Sequence, residues 1–187
     1  GAEVTKTVSL AAGDEIAVEM LLGTGLAKVT ALYAEGGPEV EGVKIRFDLL
    51  DVTAGIDGKR KTYGGRHGPG DISAPAGDYV LAAKLDSAEV MSAPFTIEPG
   101  EATDVQIILN AGVAAITAAG ARRIDVITAE ADINGKKKSL GGGYGETLQM
   151  TLPAGKYGLK IDYEGDKPDA ETTFEVTAGS RAEVAVP

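Results

Sequence analysis

The chain has 187 residues but no cysteine, no tryptophan and a single histidine, and only 5% of it is aromatic. Without cysteine there are no disulfides, no thiolate nucleophile and no cysteine-based metal centre. One histidine, His67, cannot build a multi-histidine metal site, and no Ser, His and Asp constellation surrounds it. With so few aromatic residues, any core must be packed from Val, Ile, Leu and Ala. No apolar run approaches the about 18 residues of a membrane-spanning helix, and no basic stretch leads into an apolar one, so neither a membrane span nor a signal peptide is read. Positive charge is also scarce, with 18 Lys and Arg against 28 Asp and Glu and a net charge of −10. Such a balance opposes phosphate backbones, and nucleic acid is not an expected partner. The first residue is Gly rather than Met, which reads as a start left after removal of a leader.

What the chain does have is repetition. Arg46 to Gly65, RFDLLDVTAGIDGKRKTYGG, aligns without a gap on Arg123 to Gly142, RIDVITAEADINGKKKSLGG, 77 positions later. PAGDYVLAAKL from Pro75 realigns on PAGKYGLKIDY from Pro153, and FTIEPGEATDVQII from Phe95 on FEVTAGSRAEVAVP from Phe174. A partial third copy opens the chain, where Val8 to Gly25 aligns on Phe95 to Gly112. The expected organisation is therefore residues 1–24 as the terminal strands of a partial repeat, 25–111 as one unit and 112–187 as another. The first unit carries about ten extra residues around AEGGPEVEGV. Each unit is near the lower end of independently stable domain sizes.

Apolar residues recur at period two, as at Val29, Ala31 and Tyr33, at Ile45, Phe47 and Leu49, and at Val105, Ile107 and Leu109. That alternation is the signature of half-buried strands. Turn signals punctuate the runs: GGP at Gly36, DG at Asp57, GPGD at Gly68, PAG at Pro75, NG at Asn134 and PAG at Pro153. The predicted class is all-β, with short antiparallel strands folded as Greek-key sandwiches. The glycine-rich stretches GGRHGPGD and GGGYGE read as flexible connections, the second of them offering Tyr144 as an exposed contact residue.

PAGDYVLAAKL at Pro75 and LPAGKYGLKIDY at Leu152, each followed by a Phe-led strand, resemble transthyretin-like or carboxypeptidase-regulatory-like domains of bacterial envelope proteins. Collagen-adhesin B-type repeats share the same PAG-x-Y signature. The resemblance covers both units and implies tandem immunoglobulin-like, transthyretin-like sandwiches in a periplasmic or secreted protein. B-type domains often carry a Lys–Asn isopeptide bond assisted by a Glu two residues after the Leu of the strand that follows PAG. Ala83 and Ile161 stand at those positions, so the resemblance implies no such bond here.

The candidate contact residues are two basic triplets, Lys59, Arg60 and Lys61 after one DG bend and Lys136, Lys137 and Lys138 after the NG bend, together with Tyr144. The triplets suit an anionic partner such as a polysaccharide, a lipid headgroup or the acidic face of a neighbouring protomer. The same positions also suit type I′ hairpin bends whose lysines guard an edge strand. Asp132 and Asn134 before Gly135 match part of a calcium loop, but the closing bidentate Glu is missing. Asp14, Glu15, Glu101 and Asp104 near repeat boundaries are the carboxylates an inter-repeat cation would use, although acidic residues in turns are ordinarily just solvated. No catalytic residue, cofactor or metal is expected. The functional expectation is a non-catalytic structural or binding module of a cell-envelope or secreted protein, acting on a protein partner or by strand pairing with itself. The alternative is a carbohydrate-binding or regulatory accessory domain of a secreted hydrolase.

Overall fold

The computed structural model describes residues 5, 7–13, 15–18, 23–164 and 168–187. The described residues form fifteen strands and no helix. The first unit runs β1 (Thr24–Leu32), β2 (Arg46–Ala54), β3 (Arg60–His67), β4 (Gly70–Pro75), β5 (Gly77–Leu85), β6 (Ala88–Met91), β7 (Phe95–Ile97) and β8 (Ala102–Ile108). The second runs β9 (Ala111–Ala118), β10 (Ala121–Thr128), β11 (Ser139–Tyr144), β12 (Thr147–Pro153), β13 (Gly155–Tyr163), β14 (Ala170–Val176) and β15 (Arg181–Val186).

Each unit is a sandwich of a three-stranded and a larger sheet: β4-β1-β8 over β3-β2-β5-β6 in the first, with β7 also on β5, and β12-β9-β15 over β11-β10-β13-β14 in the second. Period-two alternation delivers one face of each strand to the space between the sheets. Ala27, Val29, Phe47, Leu49, Leu81 and Ile107 meet in one core, and Ile116, Ile124, Leu159 and Ile161 meet in the other. The pairing is antiparallel except that β1 runs parallel to β8 and β9 parallel to β15. Hydrophobic period does not encode strand direction. The last strand of each unit crosses from the larger sheet to the smaller one and so arrives alongside the first strand, pointing the same way.

The two units differ where their sequences do. The Phe-led strand is continuous as β14 but split into β6 and β7 by Pro94, which has no N–H to give to β5. Ser92 bridges the gap, its Oγ accepting the Leu81 N–H at 2.9 Å. The extra residues of the first unit fold back so that Val40, 1% exposed, is tucked into the core while its N–H bonds the Ala31 carbonyl at 2.8 Å.

The opening copy behaves differently from the segment it aligns with. Residues 7–13 and 15–18 carry no strand, and Val8, Leu10 and Ile16 are 44%, 59% and 50% exposed; residues 14 and 19–22 lie outside the described residues. The equivalent strands β7 and β8 are held by β5 and β1 of their own unit. Within this chain those places are already filled by β7 and β8.

The glycine-rich stretches are strand for most of their length, with only Gly68-Pro69 and Gly145-Glu146 left as connections. Gly64 and Gly65 lie in β3, and Gly141 to Gly143 lie in β11. The reason sits on the neighbouring strand, where Arg46 grips Asp48 at 2.7 Å and Arg123 grips Asp125 at 2.7 Å. A Cβ on Gly65 would stand 2.5 Å from Asp48 Oδ1, and one on Gly142 would stand 2.3 Å from Asp125 Oδ1. Glycine is required there by the close approach of a carboxylate, and extended backbone satisfies it as well as a loop would.

Candidate functional site

Two places in the structure have a geometry that does more than fill a sandwich. The first is the joint between the units. β5 and β6 are connected by the two-residue turn Asp86-Ser87, which reaches the open side of the second sandwich, between its edge strands β11 and β12. The Asp86 carboxylate accepts the Thr151 N–H at 2.8 Å, and the Ser87 hydroxyl donates to the Leu140 carbonyl at 2.8 Å. Both backbone groups, the Thr151 N–H and the Leu140 carbonyl, were left free by the second unit's own ladders. Thr151 lies opposite Val113, whose N–H goes the other way to Ser180. Leu140 sits in a bulge, since Val126 pairs with Gly141 and Ile127 with Ser139. With the turn in place, Thr151 is 5% exposed and is the one buried polar residue among those described.

The joint is marked in the backbone as well. Among the described residues only Asp86, at φ 50°, and Asn110, at φ 48°, are non-glycine residues in the left-handed region. Asp and Asn are the residue types that enter it most readily. Asn110 carries the chain from β8 to β9, and its carbonyl accepts the Ala154 N–H at 2.8 Å. Sequence reading passed over both residues; their signal was an Asp-Ser pair and an Asn between strand-forming runs, which any surface turn shares.

The second place is the β10–β11 hairpin. Lys136, Lys137 and Lys138 line a cavity of about 880 Å³ together with Lys156, Thr128 and Tyr157, against the carboxylates of Glu130 and Asp132. Four lysines thus gather on a chain whose net charge is −10. Lys137 is tied down by Glu171. Asp132 braces the tip: its Oδ1 accepts the N–H groups of Asn134 and Lys136, both at 2.8 Å. Those two bonds, Lys136 first, hold its carboxyl below the usual aspartate value. Lys156 follows the glycine of the second PAG turn and escaped the sequence reading because that turn was read as geometry alone.

The triplet of the first unit is spent differently. Arg60 bends back onto its own hairpin, where it bonds the carbonyls of Asp51 at 2.9 Å and of Val52. Lys61 lies over the Tyr63 ring, 4.5 Å from its centroid, and Lys59 is exposed at the tip. The two triplets are therefore not equivalent knobs. Nor are the bends type I′, which needs positive φ at both central residues. Asp57 and Asn134 have none, and Gly58 and Gly135, at 75° and 74°, instead follow a turn closed by Gly58 N–H to Gly55 and Gly135 N–H to Asp132. Ile56 and Ile133 consequently stand fully exposed at the two tips.

The remaining candidates are isolated. Tyr144 is 78% exposed at the end of β11, with the Arg123 guanidinium 5.1 Å from its ring centroid. His67 ends β3 and lies 3.5 Å from Arg46 Nη1. Among the described residues no group of three or more His, Cys, Asp or Glu could hold a metal ion; Asp14 lies outside the described residues. No helix of the described residues is long and apolar enough to cross a membrane.

No protein-family model matches the chain, and no curated protein matches it in sequence. Among solved structures, the TIE protein of Bacillus anthracis aligns over 87% of this chain and 33% of its own, with a TM-score of 0.33 and 18% identity. The chain thus spans about a third of the length of that protein. The minor pilin GBS52 of Streptococcus agalactiae aligns over 87% of this chain and 94% of its own, with a TM-score of 0.39 and 12% identity.

Proposed function

We propose that the chain is a non-catalytic structural module of an envelope or secreted protein, organised as units 25–111 and 112–187 held end to end as one stiff piece. The observation that carries this reading is the Asp86-Ser87 turn seated between β11 and β12. A flexible tether would need only the connection at Asn110. Here a second contact, distant in sequence, fixes the angle between the units, which suits a chain that transmits position or load to a partner. Backbone amide relaxation tests it: both units are expected to share one rotational diffusion behaviour, and independent tumbling of the two overturns the reading.

A second reading is favoured by the lysine-lined cavity of the second unit. Lys136, Lys138 and Lys156 are placed to hold an anionic group, with an acidic surface polysaccharide as the ligand class. Such binding would weaken with salt, because the lysines are solvent-facing. Titration with polygalacturonate against neutral dextran checks it. Saturable binding of the acidic polymer alone is expected, lost in Lys136→Glu with Lys156→Glu; equal behaviour of the two polymers removes this reading.

A further inference from the structure

The side of the first sandwich that corresponds to the plugged opening of the second is built to the same plan. By the repeat, Thr151 corresponds to Ser73 on β4 and Leu140 to Tyr63 on β3. Ser73 lies opposite Leu26, whose N–H goes to the Glu101 carbonyl on the far side, so the outward N–H and carbonyl of Ser73 repeat those of Thr151. Tyr63 occupies a bulge, between the pairs Leu49 with Gly64 and Leu50 with Thr62, as Leu140 does. The lead-in is repeated too: the Gly23 carbonyl accepts the Ala76 N–H at 2.7 Å, as the Asn110 carbonyl accepts that of Ala154.

The difference is occupancy. Ser73 is exposed where Thr151 is buried. Between β3 and β4 lies a cavity of about 340 Å³ lined by Lys61, Tyr63, Ser73 and Pro75. A free edge strand beside an open sandwich side is a template for pairing. Lys61 at its rim adds a positive charge that favours an acidic insert.

We infer that this opening receives the acidic two-residue hairpin turn of a further module of the same repeat, joined ahead of Gly23 as the first unit is joined ahead of the second. The incoming Asp accepts the Ser73 N–H, and the incoming hydroxyl donates to the Tyr63 carbonyl. This rests on the end-to-end reading above and extends it from one joint to a stacked array.

Amide hydrogen exchange tests the inference on the full chain and on the same chain with a second copy of residues 24–109 inserted between Leu22 and Gly23. In the original chain Thr151 is protected and Ser73 exchanges readily. With the insertion, Ser73 slows by about tenfold or more, and Asp→Ala in the inserted turn restores its rate. Unchanged exchange at Ser73 while Thr151 stays protected overturns the inference and leaves the proposed function standing. Rapid exchange at Thr151 in the original chain sinks the proposed function instead. Slowing of Ser73 in the original chain that grows with protein concentration also overturns the inference, since a second copy would then be the occupant.

Discussion

The carboxylate of Asp86 accepts the backbone N–H of Thr151 at 2.8 Å, joining two residues 65 positions apart. It is a bond between a carboxylate on a residue of positive φ and an edge N–H in need of an acceptor. Asp86 holds φ 50°, which aims its side chain out of the β5–β6 turn, and Thr151 lies on an edge strand with its N–H pointing away from β9. A buried N–H without a partner is costly, so the edge of the second sandwich is satisfied by the first.

Asp86→Ala leaves that N–H unpaired and is expected to destabilise the chain by about 1 to 3 kcal/mol. Asp86→Asn keeps both an acceptor and tolerance of positive φ, and should lose less than half as much. Urea unfolding with amide exchange at Thr151 checks the pair. Equal stability of the Ala and Asn variants would show that the bond contributes nothing.

Gly142→Ala and Gly65→Ala are expected to destabilise their units by about 1 to 3 kcal/mol through overpacking. The added methyl would meet Ile124 O at 2.6 Å as well as Asp125 Oδ1 in the second unit, and Phe47 O at 2.9 Å in the first, so Gly142 should be the more sensitive. Gly143→Ala is the control, because its methyl meets only Leu148 Cδ1 at 3.3 Å, the end of a movable side chain. Thermal unfolding that ranks Gly143→Ala with the other two would contradict the carboxylate contact as the cause.

Much of the architecture was legible because it is local. Alternation at Val29 and Ala31 or at Phe47 and Leu49 gives strands, and Pro75 and Pro153 give turns, without reference to anything far away. The glycines misled because the same residue serves two causes: a turn that needs positive φ, and a strand that a neighbouring carboxylate approaches too closely. Gly65 beside the Arg46–Asp48 pair and Gly142 beside the Arg123–Asp125 pair belong to the second. Charge misled in a similar way. KRK and KKK look alike, but Arg60 finds the carbonyls of its own hairpin while Lys136 and Lys138 face a cavity. The joint was illegible because Asp86 and Thr151 meet only through the tertiary fold, and neither is unusual in its own segment.

Asp132 should titrate below the ordinary aspartate value of about 3.9, with Lys136 and Asn134 N–H groups holding the charged form. Because the folded value is lowered, its stabilising contribution is present above the ordinary value and is lost as pH falls through the folded one. Carboxyl chemical shifts followed against pH check the direction. Asp132→Ala should speed exchange of the Asn134 and Lys136 amides and leave β13 unaffected; unaltered exchange at the tip would show that the carboxylate does not brace it.

Tyr79 and Tyr157 close each unit in the same way, their hydroxyls donating to the carbonyls of Pro75 at 2.6 Å and Pro153 at 2.7 Å. Burial raises the titration of both phenols, with Tyr63 and Asp51 adding to the effect at Tyr79. A phenol raised above its unfolded value of about 10 stabilises fully below that pH, and the contribution is lost as pH climbs through the folded value. The unfolded chain releases those protons first, so alkali favours unfolding. Replacing either Tyr by Phe removes the hydrogen bond and leaves a carbonyl unpaired, at a cost of about 1 kcal/mol near neutral pH. It also removes the titrating group, so the decline above about pH 10 should be shallower in Tyr157→Phe than in the parent chain. Urea midpoints measured at neutral and at alkaline pH separate the two effects. A parent and a Tyr157→Phe variant that lose stability in parallel across the alkaline range would place the cause of the decline elsewhere than in the buried phenol.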